Sequence, residues 1–279
     1  MKRIAVFWIL LMSLTMTCQT KNSKSKETLV PEFNKILDSL KVKDSLKVKG
    51  SVLIYSFTDK TYYSNDFSWA KTGIIPASTF KIPNSIIALE TGAIKNDSDV
   101  FKWNGEKRWN KKWEQDLTFK EAFQVSCVPC YQEVARKIGV ERMKNYLNKL
   151  NYKEMVFDKN TIDNFWLDGE SKISQIQQIQ FLKRFYFSKL PISKRTESIV
   201  KNIMLIEKTD AYTLSGKTGL SVKNDLYNGW FVGYFEVKNK VYFFATNLET
   251  MKKEAVNEAF YSARINATKQ AFKNLNFLK

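Results

Sequence analysis

The stretch that most constrains this 279-residue chain is Pro76-Ala77-Ser78-Thr79-Phe80-Lys81-Ile82-Pro83. It opens an apolar run in which Ile82, Ile86 and Leu89 share one helical face and Ile87 widens it. Such a helix belongs inside a core, so the fold must be built around it. Ser78 stands where the helix would begin and Lys81 one turn later, which puts a hydroxyl and an amine on one face. A lysine that has lost its proton can take the proton of the serine, so the pair can make a nucleophile without histidine. The chain contains no histidine, which excludes a Ser-His-Asp triad. By itself the Ser-x-x-Lys spacing is weak, and in most proteins it is a solvated helix turn. Pro83 cannot donate to the carbonyl of Thr79, so a tight or kinked first turn is expected. Thr91-Gly92 suits the other end of the helix.

With 44% hydrophobic residues the chain can bury one large core, or one domain with an inserted lobe. The formal net charge is +17, but the lysines are scattered singly and no nucleic-acid fold signature accompanies them. We therefore read a solvated basic surface and expect no nucleic-acid partner. Anionic substrates or an anionic membrane surface would still be attracted to it. Without histidine, and with Cys18, Cys127 and Cys130 as the only cysteines, no metal site of the usual zinc kinds is expected. Cys127 and Cys130 form C-x-x-C in an apolar run that starts a helix. They read as small buried side chains, with a disulfide left open by export.

Residues 1–18 read as an export signal: Lys2 and Arg3 first, then an apolar run from Ile4 to Leu14 too short for a membrane span. Cys18, followed by polar Gln19 to Ser23, resembles a bacterial lipoprotein start, in which the cysteine is lipidated after cleavage. Thr15-Met16-Thr17 departs from the usual pattern there, and release into the periplasm is the alternative. Residues 19–28 read as a polar tether.

One catalytic domain over 29–279 is expected. Apolar spacing from Val30 to Leu40 predicts a helix. Residues 51–57 and 61–64, with a turn at 58–60, predict an antiparallel hairpin. Residues 93–199 read as helix and loop, with Thr118 capping a helix, a helical pattern from Cys130 to Ile138, and another from Ser174 to Phe187. Trp103, Trp109 and Trp113 would cover a groove or dock on the core. Strands follow at 212–217, 229–237 and 241–248, the last two joined through Lys238-Asn239-Lys240. A closing helix over 252–276 carries Ala255, Ala259, Phe260, Ala263 and Ala267. The fold class is α+β: a central antiparallel sheet from 29–92 and 200–279, flanked by helices, with an all-helical lobe, 93–199, inserted.

Two further motifs lie downstream of Ser78. Ser126-Cys127-Val128-Pro129 starts a helix, and Lys217-Thr218-Gly219 ends an expected strand. In this order the three motifs resemble the penicillin-recognising serine enzymes. With Phe165-Trp166-Leu167, Gly229-Trp230-Phe231-Val232-Gly233 and Tyr242-Phe243-Phe244-Ala245 added, the pattern is similar to the class D (oxacillinase-type) beta-lactamases over nearly all of the mature chain. The resemblance implies hydrolysis of the beta-lactam ring through an acyl-enzyme on Ser78. It implies that Lys81 is carboxylated to N6-carboxylysine and serves as general base in both half-reactions. Carbon dioxide or bicarbonate is then the only accessory needed. Val128 takes the place of the asparagine found in class A enzymes, and an apolar neighbour favours the neutral amine that carboxylation requires.

Under the same resemblance Trp166 donates to the carbamate and Leu167 borders the water path. Ser126 relays the proton to the lactam nitrogen, and Lys217 supplies positive charge. The N–H groups of Ser78 and Leu220 form the oxyanion hole, Thr218 and Gly219 dock the substrate, and Arg264 binds its carboxylate. One departure is Tyr152-Lys153-Glu154 where the family has Tyr-Gly-Asn, which puts that loop's conformation and the substrate spectrum in doubt. The alternatives are a penicillin-binding sensor domain and a penicillin-inhibited peptidoglycan peptidase. Oligomeric state and spectrum are not legible.

Overall fold

In a computed structural model of the chain, the described residues are 25–39, 48–251 and 258–278, and the side chains of 258 and 259 are not described. The export signal and Cys18 lie outside them, as do Leu40 and Ala255. The chain runs β1 (Lys26–Leu29), α1 (Glu32–Ser39), β2 (Lys49–Ser56), β3 (Thr61–Ser64), α2 (Phe67–Lys71), α3 (Lys81–Glu90), β4 (Val100–Phe101), β5 (Leu117–Thr118), α4 (Phe119–Gln124), α5 (Val128–Ile138), α6 (Val140–Lys149), α7 (Gln175–Tyr186), α8 (Lys194–Met204), β6 (Leu205–Lys208), β7 (Thr213–Lys223), β8 (Leu226–Val237), β9 (Lys240–Thr250) and α9 (Glu258–Asn274).

Seven strands form one sheet in the order β1-β3-β2-β9-β8-β7-β6, so both chain ends contribute to it, as expected. Every neighbouring pair is antiparallel except β1 with β3, which makes the sheet mixed at one edge. β1 also shortens the expected tether, because Lys26, Glu27 and Thr28 pair with Thr61, Tyr62 and Tyr63. The inserted lobe is not all helical either: β4 and β5 form a two-residue ribbon in it.

Side chains alternate across a strand, and here both faces are covered. Leu53, Tyr55, Trp230, Val232, Phe243 and Ala245 pack toward the inserted lobe. Val52, Ile54, Phe231, Phe235, Tyr242 and Phe244 pack on the other side with Phe33 of α1 and Ala263, Ala267, Ala271 and Phe272 of α9. Hence the strands read as near-continuous apolar runs.

Local chemistry fixes the helix ends that matter for the cleft. Thr118 caps α4 in a capping box with Glu121, and Ser174 caps α7 in one with Gln177. The first turn before α3 is a 3-10 turn, Ala77–Phe80. Pro83 is therefore the third residue of α3, where its missing N–H leaves no helical bond broken.

Candidate active site

The 3-10 turn delivers Ser78 to the edge of a cleft and α3 carries Lys81 beneath it. Lys81 is fully buried, and its Nζ donates to Ser78 Oγ at 2.9 Å. Burial, reinforced by the nearby charge of Lys217, holds the Lys81 amine well below its usual range. The amine also lies 5.1 Å over the ring of Tyr131, whose hydroxyl pairs with Ser85 Oγ at 2.7 Å. Ala77, just before the serine, has φ 51, a left-handed conformation that costs a non-glycine residue roughly 1 kcal/mol. The sequence carries no sign of that strain, because alanine has no left-handed preference.

Ser126 is the middle one of the three residues, Val125 to Cys127, between α4 and α5. Its N–H donates to Phe123 O at 3.1 Å and that of Cys127 to Ala122 O at 2.8 Å. With φ 58 at Ser126, these bonds make the left-handed helix C-terminus that glycine usually occupies. Val128 follows as the first residue of α5. Cys127 and Cys130 are buried, as expected, and are joined in the disulfide that the sequence left open. Both sulfurs fall within one helical turn, a distance the spacing permits but does not demand.

Lys217-Thr218-Gly219 lies in the middle of β7, not at a strand end, because β7 runs on to Lys223 against β8. The polar Ser, Thr and Lys of this half hid its strand character. Lys217 Nζ donates to the carbonyl of Thr218 at 3.0 Å and sits 5.6 Å over the ring of Phe123, one turn before Ser126. Burial and then the charge of Arg264 push its amine down to about 7. Gly219 packs on the nucleophile's turn: a Cβ there would lie 3.2 Å from Ser78 N. Arg264 of α9 donates from Nη1 to Gly219 O at 2.5 Å, and burial brings its guanidinium down to about 10.

Ser78, Ser126, Val128, Leu167, Thr218, Gly219, Leu220 and Arg264 line one cleft of about 740 Å³. Lys81, Lys217 and Trp166 are buried beside it and not in its lining. Trp166 stacks on Phe80 at 5.5 Å, next to Lys81 in the chain, and its indole Nε1 has no hydrogen-bond partner among the described residues. A buried indole N–H of this kind wants an acceptor, and a carboxylated Lys81 fits that demand.

Four aromatic residues are among the cleft residues that the sequence did not mark as site residues. Trp109 and Trp113 pack edge to face at 4.5 Å, and Tyr227 and Tyr261 line the cleft with them. The tryptophans had a signal, three of them in a charged stretch; the tyrosines had none. The departing segment Tyr152-Lys153-Glu154 places Glu154 at φ 64, where glycine or asparagine is less strained. It is held by Gln177 Nε2, which donates to Glu154 Oε1 at 2.8 Å, and by Lys172 N to Glu154 O at 3.0 Å. Among the described residues no group of three or more His, Cys, Asp or Glu could hold a metal ion.

A buried serine–lysine pair, a second serine on a helix junction and a Lys-Thr-Gly strand, set around one cleft between a sheet and an inserted lobe, define a penicillin-recognising serine enzyme. Residues 47–275 match the family described as Penicillin binding protein transpeptidase domain. Beta-lactamase OXA-10 of Pseudomonas aeruginosa is 44% identical over 69% of this chain and 73% of its own length. Beta-lactamase OXA-48 of Klebsiella pneumoniae is 40% identical over 71% and 74%. The crystal structure of a class D beta-lactamase from Sebaldella termitidis superposes with a TM-score of 0.85 at 36% identity, over 92% of this chain and all, 100%, of that one. The chain belongs to the class D beta-lactamases.

Proposed function

We propose that the protein hydrolyses the amide of the beta-lactam ring through an acyl-enzyme on Ser78, and so protects its host from penicillin-type antibiotics. The observation that carries this reading is the 2.9 Å contact from fully buried Lys81 to Ser78 Oγ. A lysine kept from protonation by burial accepts a proton where an ordinary lysine donates one. Ser78 Oγ attacks the lactam carbonyl as its proton passes toward the Lys81 side chain. The backbone N–H groups of Ser78 and Leu220 receive the developing oxyanion. Ser126 passes a proton to the ring nitrogen as the C–N bond breaks, with Lys217 keeping that path positive. Arg264 and Thr218 both line the cleft, where Arg264 binds the substrate carboxylate and Thr218 docks the substrate.

Lys81, Trp166 and Ser78 are the residues that would hold a carbamate on the lysine. When present, it supplies a general base for acylation and for activating the deacylating water. Apolar Val128 and Leu167 keep the lysine's surroundings dry, which favours the neutral amine that reacts with carbon dioxide.

Turnover of a chromogenic cephalosporin tests the reading. Ser78→Ala is expected to abolish hydrolysis with the fold retained, and Lys81→Ala to remove both acylation and deacylation. Activity lost in acidic or carbon-dioxide-free buffer should return with bicarbonate. Burst acylation without turnover would instead favour a sensor or an inhibited peptidase. We also propose export, with Cys18 either lipidated or lost with the signal; mass spectrometry of the mature N-terminus separates the two.

A further inference from the structure

The Cys127–Cys130 disulfide sits against the catalytic cleft, yet neither sulfur lines it. Its place in the backbone is informative. Ser126 ends α4 in the left-handed conformation, φ 58, which is strained for a non-glycine residue. Cys127 is at once the residue whose N–H closes that helix end and the N-cap of α5, its Sγ accepting from Cys130 N at 3.2 Å. The disulfide joins this N-cap to the third residue of α5, across Val128 and Pro129. A sulfur is a weak acceptor, and a cap made by it holds a helix start poorly without a covalent tie. The tie therefore fixes the first turn of α5, and through it the strained junction that aims Ser126.

From this we infer that the Cys127–Cys130 disulfide positions Ser126 for proton delivery to the lactam nitrogen, so that the rate of acylation depends on the redox state of the pair. The inference rests on the acyl-enzyme reading above. Cys127 and Cys130 are positioning residues and touch no reacting atom. The pair is buried, Cys127 1% and Cys130 8% exposed, and a reductant reaches it through a second pocket of about 380 Å³ that both cysteines border with Trp103, Pro129 and Arg136. A small dithiol opens the bond by two exchanges. One of its thiolates attacks a protein sulfur and releases the other, which takes a proton. The second reductant thiol then displaces the remaining protein sulfur. Two electrons and two protons end on the cysteines, and the reductant leaves as a cyclic disulfide.

The test is stopped-flow acylation of the full mature enzyme by a chromogenic penicillin or cephalosporin, oxidised, reduced with dithiothreitol, and reoxidised. Deacylation is followed separately from the preformed acyl-enzyme. Reduction is expected to slow acylation about tenfold or more, the scale of a misplaced catalytic group, while deacylation changes less than about twofold. Reoxidation should restore the rate. Cys127→Ser/Cys130→Ser should acylate at the reduced rate and ignore dithiothreitol, which separates the pair from Cys18. Acylation unchanged on reduction, or acylation and deacylation slowed alike, would overturn the inference. So would loss of the cooperative melt on reduction, which would make the bond a global staple. Oxidised enzyme that is never acylated would overturn the functional reading along with it, whereas acylation without turnover would leave the disulfide comparison fully readable.

Discussion

Trp166 concentrates the demands of this site on one atom. Its indole N–H is buried with no partner among the described residues, and an unsatisfied buried donor costs about 1–3 kcal/mol. Trp166→Phe removes the donor and keeps most of the ring, which Phe80 and Phe165 pack at 5.5 and 5.0 Å. The variant is expected to melt within a few degrees of wild type while hydrolysis at ambient bicarbonate drops roughly 100-fold, the scale of a general base. Added bicarbonate should recover part of the loss. Steady-state rates against bicarbonate concentration check this, and an unchanged bicarbonate requirement would remove Trp166 from any role at Lys81. Ser78 and Lys81 were legible in the sequence because their chemistry is carried by residue type and spacing, whereas Ser126 and Lys217 were legible only through the family resemblance of their motifs. The left-handed backbones at Ala77 and Ser126 were not, since neither residue type favours that conformation and only the surrounding turns impose it.

At the scale of elements, the cleft depends on how closely β7 meets the turn before α3. A Cβ on Gly219 would stand 3.2 Å from Ser78 N, 3.2 Å from the Ala77 Cβ and 3.3 Å from Thr79 Cγ2. The turn it would press on is fixed: Thr79 Oγ1 donates to Pro76 O at 2.6 Å and accepts from Gln178 Nε2 at 2.8 Å. Gly219→Ala must therefore push β7 away by a few tenths of an ångström and carry the Leu220 N–H with it. Stability should fall by about 1–3 kcal/mol, as overpacking does, and acylation by roughly tenfold or more. Melting curves and acylation rates measured together check the pair, and wild-type acylation would show that the strand and turn are less tightly coupled than their packing implies. Elements with a strong period were legible for the same reason that they are buried: β2, β8 and β9 put apolar residues on both faces, and α7 carries its own capping box. β1 and β6 were not legible. They are four-residue edge strands, Lys-Glu-Thr-Leu and Leu-Ile-Glu-Lys, largely exposed, whose pairing comes from the neighbouring strand and not from their own sequence.

For the molecule as a whole, three basic side chains beside the cleft set how stability varies with pH. Burial and the Arg264 charge bring Lys217 down to about 7, and burial brings Arg264 down to about 10; Lys81 lies well below its usual range. In the unfolded chain a lysine titrates near ~10.4. Between about 7 and 10 the unfolded chain therefore binds protons that the folded chain does not, and stability rises with pH through that window. Buried tyrosines work the other way. Burial raises Tyr62 to about 12 and pushes Tyr131 and Tyr152 higher still. Above about 10 the unfolded chain gives up phenol protons that the folded chain keeps, and stability falls. The maximum is thus expected at about pH 9–10, alkaline of the usual range of roughly 5–8. Urea denaturation from pH 6 to 11 measures it, in carbon-dioxide-free buffer so that Lys81 stays an amine. Lys217→Met should flatten the rise above pH 7 and stabilise the fold at pH 6–7 by roughly 1–4 kcal/mol, because it exchanges a buried charge for an apolar side chain. The same variant is expected to lose most of its hydrolytic activity. Stability that stays flat between pH 7 and 9 in the wild type would mean that Lys81 and Lys217 both keep their protons in the folded enzyme, with Thr218 O and the Phe123 ring compensating for the burial of Lys217.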